Sequence, residues 1–191
     1  GLEPSSAFRD LEAAVATDDP SVRADPLTLD SSAAGAGAAA PAEPPPWSSG
    51  LPGLTAELVG RSDDLDALVA AVGRGRLVTL TGPGGVGKSA LAAAAAGRLA
   101  ADFADGLRFV ELAAVHDAGA VSAAVAQALG VERRAERSLV ESITEVLGAR
   151  RMLLVLDNCE HLVGAVGDLA GRVLRWCPGV RLLATSREPV G

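Results

Sequence analysis

The chain has 191 residues, enough for one α/β domain with a sizeable core and a piece of a second. Its net charge of -7 offers no general electrostatic footprint for nucleic acid or an anionic membrane surface, so any DNA contact in a parent protein is expected outside this piece. No apolar run reaches the ~18 to 20 residues needed to span a bilayer, and no charged segment followed by an apolar one opens the chain; the reading is cytoplasmic, without a membrane partner.

Aromatic residues make up 3% and Tyr is absent, so the core has to be built from aliphatic and small side chains. Cys159 and Cys177 show neither CxxC spacing nor clustered histidines, which argues against a disulfide framework and against zinc. The chain begins at Gly1 rather than Met and stops at Gly191 just after a strand-like run, as expected of a fragment.

Residues 1–28 contain one amphipathic helix, at 4 to 16, with Phe8, Leu11 and Val15 at helical spacing, Ser5 or Ser6 as cap, and Asp18-Asp19-Pro20 as its end. A single helix cannot bury its own apolar face, so it reads as the tail of another helical domain. Residues 29–53 are rich in Ala, Gly, Pro and Ser, partly extended through Pro44, Pro45 and Pro46, and form a linker.

From residue 54 to 191 strands and helices alternate. A helix is expected at 63 to 72, carrying Leu65, Leu68, Val69 and Val72 behind Ser62 as cap. Strands are expected at 77 to 81, 107 to 112, 152 to 157 and 180 to 185. Further helices fall at 88 to 101, 118 to 129, 138 to 149 and 162 to 176. Continuous apolar strands separated by helices imply an α/β fold with a parallel sheet covered on both faces.

Gly82-Pro83-Gly84-Gly85-Val86-Gly87-Lys88-Ser89 matches GxxxxGK[ST], directly after one strand and opening a helix. Glycines at 82 and 87 let the backbone wrap so that successive N–H groups face a phosphate at the positive end of a helix dipole. Lys88 then reaches the β- and γ-phosphates and the Ser89 hydroxyl ligates Mg²⁺; Ala90, next in the helix, is counted with the cradle. This assigns a P-loop NTPase fold, three-layer α/β/α, that holds the phosphates of a nucleotide together with Mg²⁺.

Leu153-Leu154-Val155-Leu156-Asp157 drives a strand into the core and leaves Asp157 at its carboxyl end, facing the Mg²⁺ water shell. A dedicated ATPase usually has a second acid next, where this chain has Asn158. Glu160 is expected to begin the following helix rather than to substitute for that acid, and His161 to be a surface residue on the helix rather than a partner sensor. At the end of the last strand, Arg187 occupies a position from which a guanidinium can distinguish triphosphate from diphosphate.

Taken in order, LVGR (58 to 61), TLTGPGGVGKSALA (79 to 92), LLVLDNCEHL (153 to 162) and LLATSREPVG (182 to 191) resemble the nucleotide-binding module of the signal-transduction ATPases with numerous domains (STAND), relatives of the NB-ARC switches. The N-terminal GLEPSSAFRDLEAAVATDDP resembles the closing helix of the bacterial transcriptional activation domain in Streptomyces antibiotic regulatory proteins.

The resemblance implies that Val59, Gly60 and Arg61 contact the adenine and the phosphate end of the nucleotide. Lys88 and Asp157 would be the catalytic pair, and Arg187 the γ-phosphate sensor. It also implies that strand 180 to 185 inserts between those at 77 and 152, with 107 to 112 at an edge, and that a fifth strand lies beyond the fragment. Promoter DNA would be reached only through an N-terminal domain not contained here, with self-association on ATP binding. The competing readings are a metabolic P-loop ATPase or kinase, and the same module in a regulator of the LuxR type.

Overall fold

Four short runs rich in branched and aliphatic residues become the strands of one sheet: β1 (Leu77–Thr81), β2 (Leu107–Glu111), β3 (Leu153–Asp157) and β4 (Arg181–Ser186). Among the described residues five α-helices accompany them, α1 (Ser62–Arg74) before β1 and α2 (Lys88–Leu99), α3 (Val121–Leu129), α4 (Leu139–Leu147) and α5 (Val163–Trp176) between the strands. The computed structural model describes residues 60–133 and 136–190. The helix expected at 4 to 16, the linker at 29–53 and the adenine-contact candidate Val59 lie outside the described residues.

All pairings are parallel and the order is β1-β4-β3-β2, so β4 does insert between β1 and β3, with β2 at one edge. Thr81 lies beside Ser186, and Glu111 beside Asp157. Parallel strands put all four carboxyl ends on one side of the sheet, which is where an open α/β sheet holds its ligands.

The period of two along a strand splits the core. On one face, Leu154 and Leu156 of β3 and Leu182 and Ala184 of β4 pack with Val121 and Val125 of α3, Ile143 and Leu147 of α4, and Val166 and Val173 of α5. On the other, Leu153 and Val155 join Leu183, Leu68 and Val72 of α1, and Leu91, Ala92, Ala95 and Ala96 of α2. Both faces are covered, hence the unbroken apolar reading of β3, whose five residues are all buried. Each fully buried Leu contributes about 1.5–3 kcal/mol relative to exposure.

Helix α2, KSALAAAAAGRL, answers the lack of aromatics in a particular way. Alanine has the highest intrinsic helix propensity, and four alanines of this helix, Ala92, Ala93, Ala95 and Ala96, are buried. They let the helix that carries the glycine-rich loop lie close on the sheet. Helix α4 is set differently, by a capping box: the Glu141 N–H donates to Ser138 Oγ at 3.3 Å and the Ser138 N–H to Glu141 Oε2 at 2.8 Å.

Several boundaries differ from expectation for local reasons. Ser62 is not a cap: it is the first residue of α1, the cap position is Arg61, and no side chain bonds the helix end. Leu112 leaves the strand register, although its N–H still donates to the Asp157 carbonyl at 2.9 Å. The helices expected from 118 and to 101 are bordered by 3₁₀ turns at Ala118–Ala120 and Ala100–Asp102.

Candidate functional site

The loop 82–87 leaves β1 at its carboxyl end and enters α2 through two left-handed glycines, Gly85 (φ 79°) and Gly87 (φ 80°). That conformation costs other L-residues roughly 1–2 kcal/mol, so the glycines at these two positions are a backbone requirement. Gly87 is the N-cap of α2, no side chain caps the helix, and its first turn holds no acidic residue. The amides of that turn therefore have no intrahelical partner and lie at the positive end of the dipole.

Lys88, the only lysine of the chain, folds its ammonium back over the loop. Its Nζ donates to the carbonyls of Gly82 and Pro83, each at 2.9 Å, and so ties the loop to the helix. Ser89 is exposed beside it, its hydroxyl without a hydrogen-bond partner among the described residues. Ala90 is half-buried in the first turn.

Arg61 braces the same loop from the other side. Its Nη1 donates to the Val86 carbonyl at 2.6 Å, while Nε lies 3.6 Å from Asp64 Oδ2. The preceding Gly60 is exposed and left-handed (φ 73°), bringing the chain round into α1.

Asp157 closes β3 at 6% exposure, and its Oδ1 accepts the Thr185 hydroxyl from β4 at 2.5 Å. That same hydroxyl oxygen accepts the Asn158 N–H at 2.9 Å, and the Thr185 carbonyl accepts the Cys159 N–H at 2.9 Å. Asn158 takes a left-handed backbone (φ 64°), which its short amide side chain tolerates better than most. Asp157 Oδ2 has no hydrogen bond among the described residues and remains available to a metal's water shell. Cys159, buried behind this turn with its thiol directed to the Leu156 carbonyl at 3.3 Å, is pushed up to about 12, first by burial and then by the charges of Asp157 and Glu160.

Glu160 does not begin a helix. It lies in the turn before α5, whose cap is Leu162, and its Oε1 is 3.2 Å from Arg187 Nε. His161 is likewise in the turn rather than on the helix, with Nε2 2.6 Å from the Val115 carbonyl, because that carbonyl anchors it toward the loop after β2. Arg187 follows β4, and a methyl group placed on Gly84 would lie 3.5 Å from its Nη2. The sequence-level candidates Arg61, Gly82 to Ala90, Asp157 and Arg187 therefore lie on segments that follow the strand ends or brace the loop there. Two pairings escaped that reading: Thr185 with Asp157, whose only signal is a hydroxyl at a strand's carboxyl end beside a strand ending in Asp, and Glu160 with Arg187.

These residues fit a magnesium nucleotide. The uncapped helix start, the two left-handed glycines and the loop-bound ammonium suit phosphate oxygens, while the Ser89 hydroxyl and the Asp157 carboxylate are hard oxygen donors of the kind Mg²⁺ takes. Among the described residues no cluster of three or more His, Cys, Asp or Glu offers an alternative metal site, and no helix is long and apolar enough to cross a membrane.

Several known proteins resemble this chain in sequence. A Mycobacterium tuberculosis protein named as an HTH-type transcriptional regulator is 48% identical over 122 residues, 64% of this chain and 14% of its own length. Regulatory protein AfsR of Streptomyces coelicolor is 33% identical over 176 residues, 83% of this chain and 17% of AfsR. An uncharacterized protein of Mycobacterium tuberculosis is 39% identical over 133 residues, 70% of this chain and 34% of that protein. The chain thus spans well under two thirds of the length of these relatives.

Among solved structures, Cdc6p from Pyrobaculum aerophilum superposes with a TM-score of 0.55 at 17% identity, over 73% of this chain and 41% of that one. The Aeropyrum pernix ORC2 protein superposes with a TM-score of 0.52 at 12% identity, over 69% and 42%. At these identities the likeness concerns the fold. The profile of the AAA domain matches residues 72–187, more than half of the chain and everything from the end of α1 to Arg187, so the chain belongs to the AAA domain family of P-loop ATPases.

Proposed function

We propose that the chain is an adenine-nucleotide switch module of a bacterial transcriptional regulator, of the STAND or NB-ARC-like kind, with slow ATP hydrolysis at most. The observation that carries this reading is the asymmetry of the site. The phosphate cradle is complete in Lys88, Ser89 and Asp157, whereas Asn158 stands beside Asp157 where a second acid would serve hydrolysis. The regulator names of the 48% and 33% identical relatives support the regulatory context.

In this reading residues 54–191 form the nucleotide-binding domain, 29–53 the linker and 1–28 the tail of an activation domain. Promoter DNA is engaged by a further domain of the parent protein, in the cytoplasm, and self-association accompanies ATP binding. Bound Mg²⁺ would supply charge neutralisation at the phosphates, held from Ser89 and, through water, from Asp157. The chain's own residues do the rest: the amides opening α2 and Lys88 bind, Arg61 holds the loop from the side of Val86, and Arg187 distinguishes a terminal phosphate. A ligand shifts a two-state module only by its differential affinity for the two states, and Arg187 is the source of that difference.

Isothermal titration with MgATP and MgADP tests the assignment. The chain is expected to bind both, and Lys88→Ala to lose at least about tenfold in affinity for each while keeping its fold, since one charge-assisted bond is worth ~1.5–3 kcal/mol. Unchanged affinity in Lys88→Ala would sink the cradle assignment. A turnover above ~1 per second, the low end for ordinary enzymes, would favour a metabolic ATPase over a switch.

A further inference from the structure

The ion pair between Arg187 and Glu160 was not legible in the sequence, and its two halves sit in unequal surroundings. The Glu160 side chain is 19% exposed, and its Oε2 is buried without a hydrogen-bond partner. Arg187 is 66% exposed, and apart from Glu160 it has no polar partner among the described residues. The contact is made through Nε, at 3.2 Å, while Nη2 lies over the loop at Gly84. A largely buried carboxylate with one countercharge holds that countercharge more firmly than a surface pair does, because letting go leaves a charge uncompensated. A guanidinium is planar and rigid, so fixing it at Nε fixes where its two Nη groups point.

We infer that Glu160 is a positioning residue: it tethers Arg187 by Nε and presents the Nη edge to the terminal phosphate of a nucleoside triphosphate held in the loop. The inference rests on the reading of Arg187 as sensor and adds the device that makes the sensor selective. Without a tether, an exposed arginine has to lose its rotamer freedom on every binding event; held in place, it gives that cost up in advance. The preference for triphosphate over diphosphate is therefore a property of the pair, since only the triphosphate carries γ-phosphate oxygens for the Nη groups to meet.

The test uses the whole chain with Mg²⁺ and either ADP or a non-hydrolysable ATP analogue. Glu160→Gln keeps the volume of the side chain and removes its charge, so that folding is preserved. Affinity for the triphosphate analogue is expected to fall about five- to tenfold and affinity for ADP to stay within roughly twofold, a coupling of ordinary allosteric size. In an Arg187→Ala background the same change should have no further effect on either.

Unchanged or tighter triphosphate binding by Glu160→Gln overturns the tether, the latter by showing that Glu160 competes with phosphate for the guanidinium. An equal loss in the Arg187→Ala background overturns it too. If Arg187→Ala alone leaves the ratio of triphosphate to diphosphate affinity unchanged, the sensor reading fails and the tether with it. If Arg187→Ala lowers that ratio and Glu160→Gln does not, only the tether fails.

Discussion

Thr185 Oγ1 donates its proton to Asp157 Oδ1 at 2.5 Å and accepts the Asn158 N–H at 2.9 Å, so one hydroxyl on β4 fixes both the carboxylate that ends β3 and the backbone turn that follows it. Thr185 is 1% exposed, so neither bond can be replaced by water. Thr185→Val, nearly isosteric, leaves a buried carboxylate oxygen and a backbone N–H short of a partner, at a cost of about 1–3 kcal/mol. Urea unfolding should show a lower midpoint at an unchanged m-value, with Thr185→Ser close to wild type. Magnesium-dependent nucleotide affinity should fall along with stability. A Thr185→Val protein with an unaltered midpoint would mean that the pair carries no load.

Arg61 and Arg187 both lie against the loop and should act differently. Arg61 Nη1 holds the Val86 carbonyl at 2.6 Å, a contact with the protein backbone that is indifferent to the number of phosphates bound. The side chain is 33% exposed, so solvent screens the charge, and the loss in Arg61→Ala is set at about 0.5–1.5 kcal/mol. Titration should show ATP and ADP affinities falling together by a few-fold with their ratio intact. A selective loss of ATP affinity would place Arg61, rather than Arg187, at the terminal phosphate.

The parts of this site that were readable from sequence are those fixed by the local chain. Gly82 to Ser89 is contiguous, and its glycines, its lysine and its position between a strand and a helix need no distant residue to be interpreted. The layering followed from four apolar runs and the helices between them, because β3 has to be hydrophobic on both sides to sit inside a covered parallel sheet, whereas the strand order came from the family resemblance alone. The two ties at the carboxyl edge of the sheet, Asp157 with Thr185 and Glu160 with Arg187, join residues 28 and 27 positions apart. Neither has a local pattern: a hydroxyl near a strand end and a glutamate before a helix each have more frequent uses. Ser62 was misread for the converse reason, since a serine before an apolar helical stretch signals a cap, yet here Arg61 takes the cap position and turns its side chain to the loop.

The thiols give a stability test on the alkaline side. Burial, with Asp157 and Glu160 adding to it, pushes Cys159 up to about 12 from an ordinary 9.0, and burial raises Cys177 as well. A raised thiol value means that the folded chain keeps a proton the unfolded chain has released. The stabilisation is complete below about 9 and drains away as pH climbs toward 12. Interpretation is unusually simple here, because the chain has no tyrosine and Lys88 is its one lysine. Denaturation midpoints should fall from pH 8.5 to 10.5, and Cys159→Ala should flatten that fall; a slope identical in the two proteins would sink the assignment. At neutral pH both thiols should resist alkylation until the chain is unfolded.

Asn158 provides the sharpest test of slow hydrolysis. Its left-handed backbone (φ 64°) is one that Asp also tolerates, and its N–H is already held by Thr185 at 2.9 Å, so Asn158→Asp should leave the turn in place. The substitution puts a second carboxylate next to Asp157, where it can orient a water and take its proton, an effect usually worth 10²–10⁴ in rate. Because the new charge lies close to Asp157, some of that gain is offset by repulsion between the two acids, and a rise of about tenfold or more in steady-state ATP turnover is the expected result. MgATP affinity should change little, as the cradle residues are untouched. Turnover that stays at the wild-type level, with the fold and nucleotide affinity preserved, would show that Asn158 is not what holds hydrolysis back and would shift attention to Glu160, the other carboxylate on the same turn.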